Sequence, residues 1–240
     1  MTDAAPSPTT EVCEERVTFH GQPGLREGVL AYPGDGEPTF SVLIVGPHPL
    51  LGGDLSNNVV TALRTRFAGA GAATLAFNYG GVGESEGGPA DWPAVMSAFW
   101  RDGCFAEEAD WITDTACAVA ALRAWSDRPL VLVGYSFGCW TLSRILPQCA
   151  PRAVLLVSPN ARQHTFDDLH ACSAPLLVVH SDNDFTCTLD EITTWYAGVR
   201  EPKTRVLLPA AQHFFRGQEA ELAECLITFV HDQRQWEPSC

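Results

Sequence analysis

A serine, a histidine and an aspartate stand in this chain where acyl-transfer chemistry would need them. Ser136 lies at the centre of Gly-x-Ser-x-Gly over residues 134–138, after a short apolar run and before residues with helical spacing. A chain that passes at once from strand to helix holds such a serine in a strained conformation with its hydroxyl raised above the sheet. The glycines avoid collisions with the neighbouring strand or helix. The pattern predicts that Ser136 is a nucleophile. The alternative is an ordinary strand-to-helix turn that contains glycines.

A serine needs a base, and the base needs an orienting acid. His213 follows the last predicted strand, whereas His231 falls within the terminal helix, so His213 is the predicted base. Two acids, Asp182 and Asp184, follow the preceding strand. Asp184 is preferred because Asp182 lies early in the predicted turn, where an aspartate can have a purely turn-stabilising role. The alternative for each aspartate is an ordinary turn residue whose carboxylate is exposed to solvent.

Two backbone N–H groups are candidates for stabilising an oxyanion. One belongs to Phe137, directly after the serine at the start of a helix. The second is expected in the loop after the strand at residues 42–45, where Pro47 and Pro49 have no N–H. The donor is therefore His48 or Leu50, and His48 is preferred because the flanking prolines fix its position. The His48 imidazole either lines the pocket or braces the loop.

The elements that must position these residues alternate between short apolar runs and amphipathic segments. This alternation predicts one α/β domain with a mostly parallel, doubly wound sheet. The predicted strands are 16–20, 25–31, 42–45, 73–77, 129–133, 154–157, 176–179 and 204–208, and the predicted helices are 58–68, 107–125, 139–146, 189–198 and 219–233. The domain spans residues 14–233, residues 1–13 form a disordered tail, and residues 234–240 form a C-terminal tail.

Composition excludes several function classes. The 240 residues carry a net charge of −14, which repels phosphate backbones, so no nucleic-acid partner is expected. Lys203 is the only lysine, and it does not lie in a Gly-x-x-x-x-Gly-Lys-Ser/Thr loop. The Gly-x-Gly at residues 81–83 lacks the third small residue of a dinucleotide fingerprint, because Glu86 stands there. No export signal or apolar run near 18 residues is visible, so neither export nor membrane insertion is expected.

The nine cysteines include no Cys-x-x-Cys pair, and their number is odd. They are interpreted as free thiols in a reducing cytoplasm rather than as disulfides. No cysteine or histidine cluster has the spacing of metal ligands, so neither a metal nor a cofactor is expected.

Together these residues resemble the α/β-hydrolase superfamily, most closely its small, lidless, dienelactone-hydrolase-like members. The resemblance runs from Val17 to Val230. It is carried by Pro47-His48-Pro49 with Gly52-Gly53 and Asn57, by Phe77-Asn78-Tyr79 with Gly81-Val82-Gly83 and Ser85-x-Gly87, by the serine turn, the Asp184 turn and His213-Phe214-Phe215. It implies a sheet of about eight strands with helices on both faces, and a Ser136–Asp184–His213 triad for ester-type acyl transfer. The chain departs from the family at Gly46 and Gly80, where members often carry histidine and arginine.

An aromatic-rich segment between Gly88 and Glu107 is added to this pattern. It is either an extra helix packed on the core or a cover that faces the substrate. By contrast, the 18 residues from Ser158 to Pro175 are too few for a large cap domain. The substrate pocket is expected to be lined by Leu50, Trp92, Phe99, Trp100 and Phe214.

The sequence thus predicts a cytoplasmic serine hydrolase that cleaves a small or medium carboxylic ester, thioester or related acyl compound through an acyl-enzyme on Ser136. An acyltransferase or cyclase would use the same residues with another nucleophile in place of water. A catalytically silent binding protein on the same scaffold is the alternative from a different class. The residues indicate neither the natural substrate nor the oligomeric state.

Overall fold

One sheet of eight strands runs through the protein, whose computed structural model describes residues 11–104 and 106–233. The strands are β1 (Val12–His20), β2 (Leu25–Pro33), β3 (Phe40–Val45), β4 (Ala72–Phe77), β5 (Leu130–Tyr135), β6 (Ala153–Val157), β7 (Leu176–Asn183) and β8 (Lys203–Gln212). Their order in the sheet is β1-β2-β4-β3-β5-β6-β7-β8. The pairs β1–β2 and β2–β4 are antiparallel, and the remaining pairs are parallel. The predicted mostly parallel sheet is confirmed.

Helices cover both faces of the sheet. They are α1 (Asn58–Gly69), α2 (Trp92–Asp102), α3 (Asp110–Trp125), α4 (Phe137–Ile145), α5 (Leu189–Gly198) and α6 (Glu219–Gln233). Successive residues of a buried strand point to opposite faces. Leu132 of β5 therefore joins the core under α3 and α4, whereas Val131 and Val133 join the core under α1 and α6. Burial on both faces explains why the central strands read as uninterrupted apolar runs.

Several predicted boundaries shift in the structure. Strand β7 continues to Asn183 instead of ending at residue 179, so Asp182 lies in the strand and not in the predicted turn. Strand β1 pairs with β2 from Val12 onward, so the boundary placed after residue 13 falls inside this strand. The predicted helix over 107–125 is divided into a 3₁₀ turn at Ala106–Ala109 and α3 from Asp110. Residues 1–10 and 234–240 and Phe105 lie outside the described part of the chain.

The aromatic-rich segment forms α2. Asp91 caps its first turn by accepting the N–H of Ala94, Pro93 occupies the first turn, and Gly103 ends it with φ of 75°. These are ordinary start and stop signals. Among its residues Val95 alone is buried, and Trp92 packs partly against the core, so α2 is a surface helix with one edge on the core.

No large domain is inserted between β6 and β7. Residues 158–175 contain one 3₁₀ helix, Asp167–Ala171, as the prediction of no large cap requires. Within 11–104 and 106–233, no helix combines the length and apolar character needed to cross a bilayer.

Candidate active site

The turn between β5 and α4 holds Ser136 in a conformation that non-glycine residues rarely adopt. Its φ and ψ are 55° and −117°, and such strain is found mainly at functional sites. A Cβ at Gly134 would lie 2.7 Å from the Cα of Cys139, and one at Gly138 would lie 2.1 Å from the carbonyl oxygen of Val45. Both glycines are therefore demanded by close backbone approaches, as the sequence pattern predicts.

Ser136, His213 and Asp184 form one hydrogen-bonded chain. The Nε2 atom of His213 lies 3.0 Å from the Oγ of Ser136. Its Nδ1 atom lies 2.9 Å and 3.0 Å from the two carboxylate oxygens of Asp184. The side chains of His213 and Asp184 are each 4% exposed, whereas Ser136 is half-buried and can be reached from solvent.

The carboxylate of Asp184 is held in its ionised form. Burial acts to raise its pKa, but hydrogen bonds from His213 and Thr186 outweigh burial and lower the pKa below its ordinary value. Thr186 contributes both its N–H, at 2.8 Å, and its hydroxyl, at 2.7 Å. An ionised carboxylate here fixes the proton of His213 on Nδ1 and leaves Nε2 free to accept a proton from Ser136.

The carboxyl ends of three strands bring this chain together. Ser136 follows β5, Asp184 follows β7 and His213 follows β8, so all three lie at the edge where parallel sheets place their sites. The hydroxyl of Tyr135 donates to the carbonyl oxygen of His213 at 2.9 Å, which ties two of the strand ends together. The alternatives lie elsewhere: Asp182 is exposed near the end of β7, and His231 is exposed on α6.

His48 lies in the loop after β3, and its ring is 4.6 Å from that of Phe137, the residue after Ser136. It is 7% exposed, and its Nδ1 accepts the N–H of Leu50 at 3.2 Å. Its Nε2 donates to Glu108 at 3.2 Å, so the imidazole braces the loop. Because the Leu50 N–H is engaged by this ring, the geometry favours His48 over Leu50 as a backbone donor. The loop needs Gly53, since a Cβ there would lie 2.0 Å from the carbonyl oxygen of Pro47.

Apolar side chains lie next to both buried histidines, His48 and His213. On the His48 side, the ring of Phe99 lies 4.7 Å from that of His48, and Trp100 packs on Phe99 while remaining 70% exposed. Next to His213, Phe185 is 68% exposed, and its ring lies 5.1 Å from that of His213. Phe214 contacts Phe185.

The remaining predicted pocket residues are less directly placed. Leu50 is half-buried in the His48 loop. Trp92 packs at the glycine-rich loop, where a Cβ on Gly81 would lie 2.7 Å from its ring, so it shapes that loop. Sequence reasoning missed Phe185, although its position directly after Asp184 is a usable signal. It also missed Glu108, for which the sequence carries no comparable signal.

A buried ion pair shapes the loop after β4. The Nε of Arg26 lies 2.7 Å from Asp114, and these side chains are 2% and 1% exposed. Asp114 also accepts the N–H of Gly80 at 2.8 Å. A Cβ on Gly80 would lie 3.1 Å from Arg26. The guanidinium from β2 therefore stands beside the position where the family pattern often has an arginine.

Comparison with known proteins identifies the fold that carries these residues. A serine hydrolase homologue of the α/β class from Coxiella burnetii is 26% identical, with 89% of this chain and 96% of that chain covered and a TM-score of 0.77. A lidless α/β serine hydrolase from Xanthomonas campestris is 22% identical, with 98% and 100% covered and a TM-score of 0.78. The protein has the α/β-hydrolase fold. The resemblance noted in the sequence is thereby confirmed at the level of architecture.

Two further comparisons add little to what the fold of this α/β hydrolase indicates. An uncharacterized protein of Rickettsia prowazekii (strain Madrid E) is 22% identical over 226 residues, which are 90% of this chain and 88% of that protein. No family model matches the sequence.

Across the described residues, no group of three or more His, Cys, Asp or Glu side chains is arranged to hold a metal ion.

Proposed function

We propose that this α/β hydrolase is a serine hydrolase that cleaves a carboxylic ester, thioester or related acyl substrate through an acyl-enzyme on Ser136. The observation that carries the proposal is the unbroken hydrogen-bonded chain from Ser136 Oγ through His213 to Asp184. Nucleophile, base and orienting acid are all in contact, which is the arrangement that activates a serine. A catalytically silent binding protein would not need a strained serine whose hydroxyl contacts a buried histidine.

In the proposed reaction, His213 Nε2 takes the proton of Ser136 as Oγ attacks the substrate carbonyl. The N–H groups of Phe137 and His48 receive the oxyanion. Asp184 stabilises the imidazolium and keeps the proton of Nδ1 in place. The imidazolium then protonates the leaving group, and a water molecule, deprotonated by His213, releases the acyl group from Ser136.

The substrate class follows from the surroundings of Ser136. In the described part of the chain no large domain covers the site, and two exposed rings lie near it. Trp100 packs on Phe99, which contacts His48, and Phe185 contacts His213. Such rings would contact apolar parts of an acyl or alcohol group without enclosing them. This arrangement favours small or medium apolar esters over polymers held by many polar contacts.

An active-site fluorophosphonate probe tests the proposal. The wild-type protein should become covalently labelled and should hydrolyse aryl esters, thioesters or lactones from a chain-length panel. Ser136→Ala should abolish labelling and lower turnover on the order of 10⁵-fold, with an unchanged melting temperature. Purified Ser136→Ala that keeps more than a few per cent of wild-type activity would refute the serine mechanism. Products formed with an added alcohol or amine acceptor would separate hydrolysis from acyl transfer.

We further propose a cytoplasmic location. The eight cysteines among the described residues are all unbridged, which is the state expected in a reducing compartment. The expected partner is a small acyl substrate, without nucleic acid.

A further inference from the structure

Glu108 is a buried carboxylate that the proposed reaction does not use directly. It lies in the 3₁₀ turn at Ala106–Ala109, just before α3, and is 4% exposed. Its Oε1 lies 3.2 Å from Nε2 of His48. A carboxylate is costly to bury unless it is paired, so this contact fixes where Glu108 can lie and which group it serves.

The two nitrogen atoms of His48 have different partners, and together they define one tautomer. Nδ1 accepts the N–H of Leu50, so it carries no proton in this arrangement. Nε2 must then carry the proton that is donated to Glu108. Glu108 thereby selects the tautomer that allows Nδ1 to accept the backbone N–H.

The loop after β3 is wrapped around His48. The carbonyl oxygen of His48 accepts the N–H of Leu51 at 2.9 Å and that of Gly53 at 3.1 Å, in addition to the contact between Leu50 and the ring. These three bonds lie within the loop. The contact with Glu108 ties His48 to a distant part of the chain, 60 residues away.

The His48 ring also reaches the other proposed oxyanion donor. Its centroid lies 4.6 Å from that of Phe137, and it meets Trp111 of α3 edge-on at 5.4 Å. A rotation of the imidazole would therefore disturb both the loop that carries the His48 N–H and the packing of the residue that follows the nucleophile.

We infer that Glu108 is a positioning residue for the oxyanion hole: its carboxylate holds the His48 imidazole, and the imidazole holds the loop whose backbone N–H faces the reacting carbonyl. This inference rests on the proposed function. It also gives the added segment between Gly88 and Glu107 a role, because this segment leads directly into the turn that delivers Glu108.

Steady-state kinetics on an aryl ester test the inference. Glu108→Ala should lower kcat on the order of 10- to 100-fold, because loss of a fixed oxyanion donor costs about that much or more. KM should stay within about twofold, since the oxyanion exists only in the transition state. Glu108→Gln can still accept from Nε2 and should recover most of the rate. Asp110→Asn, an exposed acid two residues further along the same segment, is the matched control and should behave as wild type.

A double-mutant cycle separates positioning from general structural support. His48→Ala should itself lower kcat, and Glu108→Ala added to it should change kcat by less than about twofold, because the residue through which Glu108 acts is already gone. Losses that multiply in the double variant would overturn the inference. So would a normal kcat in Glu108→Ala, or a loss confined to KM.

Two controls keep the result interpretable. If Glu108→Ala does not fold, Glu108→Asp takes its place: it keeps the charge but withdraws the carboxylate by one methylene, so kcat should fall several-fold, and a wild-type kcat would overturn the inference. Ser136→Ala is measured in parallel. If it stays active, the proposed function is wrong; if it is inactive while the Glu108 variants are normal, only the positioning role is wrong.

Discussion

Two buried histidine–carboxylate pairs lie next to the Ser136 turn: His213 contacts Ser136 itself, and His48 contacts the ring of Phe137, the next residue. They differ in the group that meets the second ring nitrogen. In the His213–Asp184 pair, the nitrogen that does not contact the acid faces the hydroxyl of Ser136 at 3.0 Å. In the His48–Glu108 pair, the corresponding nitrogen accepts a backbone N–H from Leu50. The first imidazole can therefore exchange a proton with a reactive group, whereas both nitrogens of the second are engaged by groups that hold a loop.

The comparison shows that a buried histidine beside an acid does not identify a base. Both pairs are at least nine-tenths buried and have similar contact distances. What distinguishes them is the chemical identity of the group on the far nitrogen, a hydroxyl in one case and a backbone amide in the other. We interpret the first pair as the one that moves protons and the second as the one that fixes geometry.

The largest expected difference between the pairs is the effect of removing each imidazole. His213→Ala should lower kcat/KM on the order of 10⁵-fold, because the nucleophile loses its base and the triad acts as a unit. His48→Ala should cost only about 10- to 100-fold, because its backbone N–H remains. Matched kinetics on one aryl ester check this ordering. Losses of equal size would mean that His48 also transfers a proton.

Removing the charge from each acid should give the next largest contrast. Asp184→Asn should lower kcat on the order of 10⁴-fold, because an amide favours the wrong tautomer of His213. Asp182→Asn, two residues earlier at the end of β7, should stay within about threefold of wild type. Glu108→Gln should also cost far less than Asp184→Asn. A larger loss in Asp182→Asn than in Asp184→Asn would move the acid to residue 182.

The difference between the pairs also explains what could be predicted from the sequence. Ser136, Asp184 and His213 each follow a short apolar run, and parallel strands bring such ends to one edge, so local patterns were enough to bring them together. The proposed oxyanion loop could be recognised because prolines lack N–H donors and glycines mark close backbone approaches. Each of these features is set by residues close together in the sequence.

Glu108 and Arg26 could not be read in the same way. Each is buried only because a partner from far along the chain reaches it, His48 in one case and Asp114 in the other. In the sequence they look like ordinary charged residues on a helix or an edge strand. For Trp100, too, helical spacing could not decide between core and surface, because that depends on what lies beneath α2.

Low pH should weaken the His213–Asp184 pair, because protonation of Asp184 removes the negative charge of its carboxylate. Its pKa in the folded protein is lowered, from about 3.9 in the unfolded chain, so its contribution to stability is complete above that value and is lost as pH falls through the lower, folded value. Below about pH 4, the free energy of unfolding of wild type should therefore fall more steeply than that of Asp184→Asn. Ser136→Ala keeps the pair and should retain the wild-type slope. Urea unfolding at a series of pH values measures this, and equal slopes in wild type and Asp184→Asn would contradict it.

The smallest expected effect concerns the apolar side chain next to the His48 pair. Trp100 is 70% exposed, so its own ring is not buried in the core, and Trp100→Ala should leave the melting temperature nearly unchanged. If its ring contacts the acyl chain, each methylene it covers adds up to about 0.8 kcal/mol of binding, and partial cover gives less.

Trp100→Ala should therefore flatten the preference between acetate and octanoate esters by a few-fold in kcat/KM, without changing the rate on acetate. Phe185→Ala tests the His213 side in the same way, and the side whose loss alters acyl-chain preference is the side that binds the acyl group. Trp125→Ala, a 42% exposed tryptophan at the end of α3, controls for the loss of a surface ring. Unchanged selectivity in both Trp100→Ala and Phe185→Ala would mean that neither ring contacts the acyl chain, and that the substrate is held by the loops alone.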